Sequence, residues 1–439
     1  MDITIKKLSS FSPAELRKAT VDQARLDLVK KAVEKIIRDV RQRGDAAVLD
    51  YTRQFDGIDF KPGDLKVKQV EIDAAYESID TEIISALEIA RDNIKKYHEK
   101  QKPAEWEIET TRGITPGIII RPLDTVGVYV PGGKAFYPST VLMTVIPAVV
   151  AGVKRIVMVT PPKKDGKVEP IVLASARIAG VTEIYKVGGA QAIAALAFGT
   201  ATIPKVDAVV GPGNVYVSTA KQFLQGEVLI DSPAGPSEVL IVAGETACPK
   251  NIALDMCAQA EHDQDAVAIV VVTSEVQARA VIDEIKALLP TLDRKAILEV
   301  SLSKNGLIIV LDKTTKDAAF MDDAARIINE IAPEHLQLSL DDKIITKLLP
   351  LVKNAGAIFL GENTPVPLGD YAAGTNHVLP TSGTAARYSA LNTTCFIKYI
   401  PITRASKEGL ENLAPTVCTL ARFEKLDAHA RAVEERIKN

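Results

Sequence analysis

The chain has 439 residues, of which 47% are hydrophobic and 25% are charged, and its formal net charge is -3. This length is too great for one hydrophobic core and predicts several domains with the composition of an ordinary globular protein. The small net charge provides no positive field for phosphate backbones, so the sequence excludes nucleic acid as a partner.

The start of the chain has neither the apolar core of a signal peptide nor the arginine-rich bias of a transit peptide. The longest nearly apolar run, residues 141–153, is too short to span a bilayer and contains Pro147. We therefore expect a soluble, cytoplasmic protein that does not bind a membrane. The cysteines form no CxxC pair, which argues against a disulfide framework and against a thiolate zinc cluster.

The first predicted elements are helices. Residues 26–97 repeat apolar side chains every three or four positions, with one glycine-containing break, and predict a helical lead-in. After Gly117 the pattern changes to short β-branched runs that are apolar on both faces, and helix-length segments separate most of them. Buried parallel strands have this pattern, so we predict an α/β fold with wound sheets. The strand-like runs are GIIIRP, TVGVYVPG, RIVMVTPP, EIYKVGG, VDAVVGPG, VLIDSPAG, EVLIVAG, AVAIVVVTS, GLIIVLD and GAIFLGE.

A break at residues 231–238, DSPAGPSE, separates two such series of strands and helices and predicts a hinge between two domains. The sequence does not show whether the two series are repeats. Beyond Thr384 the strand pattern fades, and the chain ends in an amphipathic helix of mixed charge. We expect this end to be an appendage without a core of its own.

Three glycine loops, at residues 129–133, 187–192 and 211–214, each end a strand-like run and precede a helix. Backbone N–H groups and the helix dipole favour phosphate oxygens at such places, so a bound nucleotide is one interpretation. None of the loops is GxGxxG, and no acidic residue stands at the offset that holds a ribose in the usual dinucleotide fold. Tight turns without a ligand are the alternative.

Histidine is rare in this chain, and four of the five histidines lie in polar clusters near the ends of predicted elements. The fifth, His98, is expected to be solvated on a charged helix face. Gln259 and His262, in AQAEHDQD, are three residues apart on a helix that starts at Pro249, so both could bind one metal. Imidazole nitrogen suits zinc, while the spacing leaves manganese or a similar ion open.

Carboxylates accompany histidines in three further clusters. Asp370, in GDYAAGTNH, follows a strand-like run, where loops beyond the carboxyl ends of strands commonly form sites; an Asx turn is the alternative. In APEHLQL, the proline is expected to start a short turn that aims Glu334 and His335 into a loop as two proton-transfer groups. Glu424 and His429 are about 140° apart around a helix and could serve one site only at its edge.

In their order along the chain, YVPGG, GGAQA, GPGN, DSPAGPSEVLI, AQAEHD, APEHLQL and GDYAAGTNHVLPT resemble the histidinol dehydrogenase family. The resemblance extends from about residue 25 to the C-terminus, and several of the strings are long and unusual. It implies a zinc-dependent enzyme that oxidises L-histidinol through L-histidinaldehyde to L-histidine by two hydride transfers to NAD. These are the last steps of histidine biosynthesis.

The resemblance also implies roles for individual residues. The implied zinc ligands are Gln259, His262, Asp370 and His429. The implied acid/base pair is Glu334 and His335. Besides these residues, the implied substrate contacts are Ser237, His377 and Glu424. The implied NAD contacts are Tyr129, Gln191 and Asn214.

The implied fold is aldehyde-dehydrogenase-like, with two incomplete Rossmann-like domains, a short N-terminal arm and a small helical C-terminal tail. The corresponding boundaries are 1–25 for the arm, 26–128 with 237–383 for the first α/β domain and its helical lead-in, 129–236 for the second, NAD-binding domain, and 384–439 for the tail. Two subunits are implied to entwine as a homodimer with shared active sites, in which the tail supplies Glu424 and His429 to the partner's site.

Two alternative functions remain open from the sequence. A paralogous alcohol dehydrogenase with zinc and NAD could act on another polar alcohol, although His377, Glu424 and His429 favour histidinol. A zinc hydrolase could use similar ligands and an adjacent glutamate to activate water, although the glycine loops argue against it. Production of NADH would separate the dehydrogenases from the hydrolase.

Overall fold

The computed structural model describes residues 3–8, 23–132, 137–181, 183–233 and 235–438. These residues form a parallel sheet of five strands, a parallel sheet of six strands and a small antiparallel sheet, with helices packed around them. The predicted α/β class is therefore confirmed. In these ranges we find no helix with both the length and the apolar character needed to cross a bilayer.

The elements are numbered here in chain order. The strands are β1 (Thr4–Lys7), β2 (Trp106–Glu107), β3 (Ile114–Pro122), β4 (Thr125–Tyr129), β5 (Arg155–Thr160), β6 (Glu183–Lys186), β7 (Ala208–Val210), β8 (Leu229–Ile230), β9 (Glu238–Ala243), β10 (Val267–Val272), β11 (Gly306–Val310), β12 (His335–Ser339), β13 (Ala357–Leu360) and β14 (Ile397–Ala405). The helices are α1 (Gln23–Arg43), α2 (Asp45–Asp56), α3 (Gln69–Glu77), α4 (Thr81–Glu99), α5 (Pro138–Ala151), α6 (Pro170–Ala179), α7 (Gly189–Phe198), α8 (Val215–Phe223), α9 (Pro249–Ala260), α10 (Glu275–Leu288), α11 (Lys295–Asn305), α12 (Ala318–Ile331), α13 (Asp342–Leu348), α14 (Val366–Tyr371), α15 (Lys407–Phe423) and α16 (Asp427–Lys438).

The five-stranded sheet has the order β6-β5-β4-β7-β8, and all neighbouring strands are parallel. The chain starts at the central strand β4, moves outward through β5 and β6, and then crosses to β7 and β8. The direction of winding reverses between β4 and β7, and open sheets of this kind bind ligands in the crevice beyond the carboxyl ends of such strands. Tyr129 ends β4, and the glycine loop at 211–214 follows β7, so both lie at this crevice.

The six-stranded sheet has the order β1-β11-β10-β9-β12-β13. Apart from the edge strand β1, the chain again starts at a central strand, β9, moves outward through β10 and β11, and crosses to β12 and β13. The two series are therefore topological repeats, which the sequence left undecided. The predicted hinge at 231–238 lies between them, and its Ala234 lies outside the described residues.

The helical lead-in belongs to the five-stranded unit. On one face of that sheet, Val33 and Ile36 of α1 share a core with Val157 and Val159 of β5. On the other face, α3 and α4 share a core with Met158, the residue between those two valines. The family resemblance, not the periodicity, grouped residues 26–128 with residues 237–383. Periodicity identifies an apolar helix stripe but not the sheet that the stripe covers.

The third sheet differs from the sequence prediction. GIIIRP lies in β3, but β3 pairs antiparallel with β14 and β2 and does not join a parallel sheet. The C-terminal tail contains the predicted helix, a second helix and the unpredicted strand β14. Its helices α15 and α16 pack on each other around Cys418, Ala421 and Ala430. Of the predicted N-terminal arm, residues 4–7 form β1, while residues 1–2 and 9–22 lie outside the described residues.

Candidate active site

Glu334 and His335 lie at the amino end of β12, which runs between β9 and β13. The predicted short turn and loop are wrong at this point, because HLQLS pairs on both sides as a fully buried strand. The two residues are only 5% and 4% exposed. This acid/base pair is therefore held by the end of a central strand, at the amino edge of the six-stranded sheet.

The ring of His335 lies between carboxyl groups. Its Nδ1 donates to the carbonyl of Glu238 at 3.1 Å and lies 3.6 Å from Oε2 of Glu334. Its Nε2 lies 3.6 Å from Oδ1 of Asp370 and has no hydrogen-bond partner among the described residues. Because a carbonyl only accepts, Nδ1 carries the hydrogen, and Nε2 of the neutral ring can accept a proton.

Burial and neighbouring charges change the basicity of this pair. Burial raises the pKa of the Glu334 carboxyl, although a charge on His335 lowers it. Burial lowers the pKa of His335, but the carboxylates of Glu334 and Asp370 outweigh burial and raise that pKa overall. Both groups are consequently stronger proton acceptors than the same side chains in water.

The predicted metal ligands of the main body come from two helices. Gln259 lies in the last turn of α9, and its amide nitrogen is 3.3 Å from Nδ1 of His262, which lies beyond the end of that helix and not on the predicted shared helix face. Asp370 lies on α14. Burial is the largest effect and lowers the pKa of His262, while the negative charge of Asp370 acts in the opposite direction.

His377, in the loop after α14, joins the same cluster. Burial lowers the pKa of His377. The charge of Asp370 raises this pKa, and the charges of His335 and His262 lower it. The structure therefore brings together six of the predicted site residues. They are Gln259, His262, Glu334, His335, Asp370 and His377.

The cluster fits a bound cation. Three of its buried polar atoms have no hydrogen-bond partner in the described ranges: Gln259 Oε1, His335 Nε2 and His377 Nε2. Leaving such atoms unpartnered is costly, and nitrogen and oxygen donors suit zinc. No group of three or more His, Cys, Asp or Glu is placed to hold a metal within the part of the chain that the structure describes. His262 and Asp370 supply two such ligands and Gln259 supplies an amide, so the set needs a further ligand.

Glu424 and His429 lie apart from this cluster. Glu424 follows α15 and His429 lies in the first turn of α16, and both are exposed. No hydrogen bond or ion pair between described residues connects either side chain to the cluster. A single chain therefore does not bring the fourth predicted ligand to the other three.

Ser237 and Glu238 lie beside the acid/base pair, at the start of β9. The carbonyl of Ser237 accepts from Val267 N–H at 2.9 Å, which fixes it at the sheet edge. Glu238 N–H donates to Glu334 Oε2 at 2.8 Å, and burial raises the pKa of the Glu238 carboxyl to about 7. Sequence reasoning missed Glu238. The available signal was an acidic residue at the first position of the otherwise apolar strand EVLIVA.

The predicted NAD contacts lie at the carboxyl edge of the five-stranded sheet. The hydroxyl of Tyr129 accepts from Gly189 N–H, at the start of α7, at 3.2 Å. Gln191 lies in the first turn of α7, and its buried Oε1 has no hydrogen-bond partner among the described residues. The Asn214 side chain caps α8 by accepting from Tyr216 N–H at 3.0 Å. An unpartnered acceptor and two helix starts at the switch point fit a dinucleotide.

A buried ion pair fixes the glycine loop after β7. Gly211 N–H donates to Oδ2 of Asp231 at 2.7 Å, and the Gly211 carbonyl accepts from Nζ of Lys221 at 3.0 Å. Lys221 and Asp231 also pair with each other. The loop at 187–192 is described throughout, whereas Gly133 of the loop at 129–133 lies outside the described residues.

His98 is buried, and the prediction of a solvated histidine is wrong. Its Nδ1 donates to the carbonyl of Ile94 at 2.8 Å, and its Nε2 lies 3.4 Å from Nδ2 of Asn376. Asn376 donates to the carbonyl of Met143 at 2.7 Å. His98 thus supports the contact between α4, α5 and the loop that carries His377. The charged residues around His98 in the sequence lie on the opposite, exposed face of α4.

Comparisons with known proteins agree with this geometry. Residues 19–437 match the family model described as histidinol dehydrogenase. Histidinol dehydrogenase of Caldanaerobacter subterraneus subsp. tengcongensis is 50% identical over 94% of this chain and 93% of its own, and that of Methanocaldococcus jannaschii is 45% identical over 99% of each. A crystal structure of histidinol dehydrogenase from Elizabethkingia anophelis has a TM-score of 0.92 and 38% identity, and the match covers 100% of this chain and 98% of that one.

Proposed function

This chain belongs to the histidinol dehydrogenase family and has the activity of that NAD-dependent enzyme, and we propose that the reaction takes place at the amino edge of the six-stranded sheet. In this proposal L-histidinol is oxidised through L-histidinaldehyde to L-histidine with two NAD. The observation that carries the proposal is His335: its Nδ1 donates to Glu238 and lies 3.6 Å from Glu334, while its buried Nε2 is unpartnered among the described residues and lies 3.6 Å from Asp370.

In the first oxidation, His335 is the base. Its Nε2 accepts the hydroxyl proton of the alcohol while the carbinol carbon loses a hydride, since the hydrogen on Nδ1 leaves only Nε2 to accept. Tyr129, Gln191 and Asn214 would hold NAD at the crevice, where it would supply the hydride acceptor for both oxidations. Burial of the pair excludes competing water from the first step.

The second oxidation needs a second base. The aldehyde gains a water molecule before it can lose another hydride, and Glu334 is suited to accept the proton of that water because burial raises its pKa. Its carboxylate lies 3.6 Å from Nδ1 of His335, so the two proposed bases belong to one cluster. No cysteine nucleophile is required.

Zinc is the proposed resident metal. Gln259, His262 and Asp370 would hold it together with His429 of the partner subunit, and the ion would fix the imidazole and amine of histidinol. The unpartnered buried Oε1 of Gln259 supports this assignment. Ser237, His377 and Glu424 of the partner subunit would complete the contacts with the substrate.

A homodimer follows from the same proposal. The tail exposes large apolar side chains, with Phe423 exposed to 87% and Leu420 to 58%, next to Glu424. A partner surface that covers them would bring Glu424 and His429 to the other subunit's cluster. We place this enzyme in the cytoplasm as part of the proposal.

The test is a measurement of NADH formed from L-histidinol by the purified enzyme. We expect two NADH for each histidinol consumed and loss of this activity after treatment with a chelator. One NADH for each substrate, or faster turnover of a different polar alcohol, would favour the paralogous alcohol dehydrogenase. The nearly full-length matches do not favour that alternative.

A further inference from the structure

Glu238 and Glu334 face each other at the amino ends of two neighbouring parallel strands. The next residue of each strand, Val239 and His335, form a pair in the sheet register. The two glutamates therefore lie one residue before this first pair. Here each backbone N–H donates to the other residue's carboxylate: Glu238 to Oε2 of Glu334 at 2.8 Å, and Glu334 to Oε1 of Glu238 at 3.2 Å. This reciprocal pair closes the sheet edge where the ordinary backbone ladder ends.

The Glu238 carboxylate also holds the loop that follows His377. Its Oε1 accepts from Gly383 N–H at 3.5 Å. Ser382 and Gly383 both have left-handed backbone conformations, with φ of 55° and 71°. A left-handed conformation is strained for serine and persists only where neighbouring contacts fix it. Glu238 therefore connects β9, the start of β12 and this loop.

We infer that Glu238 is a positioning residue that acts through Glu334 and His335, an inference that rests on the proposed function. Its carboxylate fixes the backbone of Glu334, its N–H fixes the carboxylate of Glu334, and its carbonyl fixes the hydrogen of His335 on Nδ1. Glu238 thus orients both proposed bases from a neighbouring strand.

The chemistry of the contact requires a carboxylate. One carboxylate can accept several backbone N–H groups, whereas the amide of glutamine has a single acceptor oxygen and presents donors on its other side. Glu334 N–H and Gly383 N–H both donate to Oε1 of Glu238, and a third backbone hydrogen bond, from Ser382, also lowers the pKa of this carboxyl. Glu238→Gln keeps the shape but replaces one carboxylate oxygen by an amide nitrogen, which would face that third donor. We therefore expect the end of β12 and the loop at 382–383 to lose their fixed positions, while the fold remains.

The test uses Glu238→Gln, Glu334→Gln and the double variant in the full-length, metal-loaded enzyme. Misplacement of reacting groups is costly, so Glu238→Gln should lower kcat about 10-fold to 100-fold in whichever oxidation Glu334→Gln slows most. KM for L-histidinol and zinc content should remain near those of the parent. In the double variant, Glu238→Gln should add less than about 2-fold to the effect of Glu334→Gln, because residues that act as a unit are not additive.

Glu245→Gln is the matched control. Glu245 follows the other end of β9, where its carboxylate accepts from Thr315 N–H at 2.8 Å and Thr315 Oγ1–H at 2.6 Å. Glu245→Gln should leave the rates of both oxidations unchanged. An equal loss in Glu245→Gln, or multiplying losses in the double variant, would show that Glu238 has only a structural role.

If Glu238→Gln does not fold, Glu238→Asp serves as the second variant, because it keeps the charge and shortens the reach. It should show the same pattern of a lower kcat at unchanged KM, and parent rates in both oxidations would overturn the inference. A parent enzyme that forms no NADH from L-histidinol would instead overturn the proposed function, so the two failures are distinguishable.

Discussion

Glu334 is a buried carboxyl whose proposed task belongs to the second oxidation alone. Hydride loss from the alcohol needs one base, His335, whereas oxidation of the aldehyde also needs a water that has lost a proton. Glu334→Gln keeps the side-chain shape but cannot accept that proton, and loss of such a base costs about 100-fold to 10,000-fold in rate. We therefore expect histidinaldehyde oxidation to slow far more than the first hydride transfer, measured in separate single-turnover experiments.

His335→Asn is the comparison for this division of labour. It removes the acceptor Nε2, so the first oxidation should slow as well. Equal slowing of both oxidations by Glu334→Gln would contradict separate roles and would indicate that Glu334 orients His335 or the metal ligands.

His262 provides a test of the metal site that does not depend on activity. Its imidazole lies beside Gln259 and Asp370 in a cluster with unpartnered buried atoms. His262→Asn should reduce the zinc content of the purified protein, measured by metal analysis. His98→Asn is the contrasting control, because His98 is fully buried in a helix core and bonds to Ile94, whereas His262 is exposed; this variant should lower the melting temperature and keep its zinc. Full zinc occupancy in His262→Asn would remove His262 from the site.

Among individual residues, the sequence predicted those that lie within one motif. It missed those whose contacts depend on the pairing of strands that are far apart in the chain. Gln259 and His262 are three residues apart, so their spacing along the chain keeps them close, although His262 lies beyond the end of α9. Glu238 contacts Glu334 across 96 positions of chain, and only the pairing of β9 with β12 reveals that contact. His98 was misjudged for a related reason, since the sequence shows its charged neighbours but not Asn376, which packs on its buried side.

Among the elements, the turn after β7 controls the nucleotide crevice. Gly211 has a φ of 112°, and a Cβ added to it would lie 2.2 Å from the carbonyl oxygen of Tyr129. Gly211→Ala should therefore push the turn away from β4, destabilise the protein by about 1–3 kcal/mol, and raise KM for NAD more than KM for L-histidinol. Denaturant unfolding and steady-state kinetics measure these effects.

Gly180→Ala is the matched control for this turn. Gly180 ends α6 in the same unit with a φ of 89°, but an added Cβ there meets no described atom within 4 Å. Gly180→Ala should carry the cost of the left-handed backbone without the collision, so it should destabilise the protein and leave KM for NAD unchanged. An equal rise in KM for NAD would show that lost stability, not displacement of the turn, weakens binding.

The sequence predicted the parallel strands well where the runs are long and apolar, as in β5, β9 and β10. It failed at β12, because Glu334 and His335 give this short strand a polar start that is typical of a loop. It also failed at β3 and β14, whose antiparallel ladder joins segments that are far apart in the chain. Local periodicity contains no information about that pairing.

Across the whole molecule, the two repeats use opposite edges of their sheets. The five-stranded repeat offers the carboxyl edge of β4 and β7, as its glycine loops predicted, whereas the proposed catalytic cluster of the six-stranded repeat lies at the amino edge. Asn376 bonds to α5, which begins beyond β4, and thereby connects the loop after α14 to the other repeat. The rule that sites form at the carboxyl ends of parallel strands points to the carboxyl edge in both repeats. It could not predict a cluster at the amino edge.

The tail hairpin provides the last prediction, because it exposes Phe423 and Leu420 and carries His429 away from the other ligands. If sites are shared, a heterodimer of His262→Asn and His429→Asn subunits has one site with both changes and one intact site. Heterodimers isolated with two affinity tags should regain about half of the parent activity per dimer. A heterodimer of His262→Asn and Asp370→Asn subunits is the control, since each of its sites keeps one change and stays inactive. Absence of recovery in the first pair, with dimers verified, would place His429 in its own subunit's site or outside both.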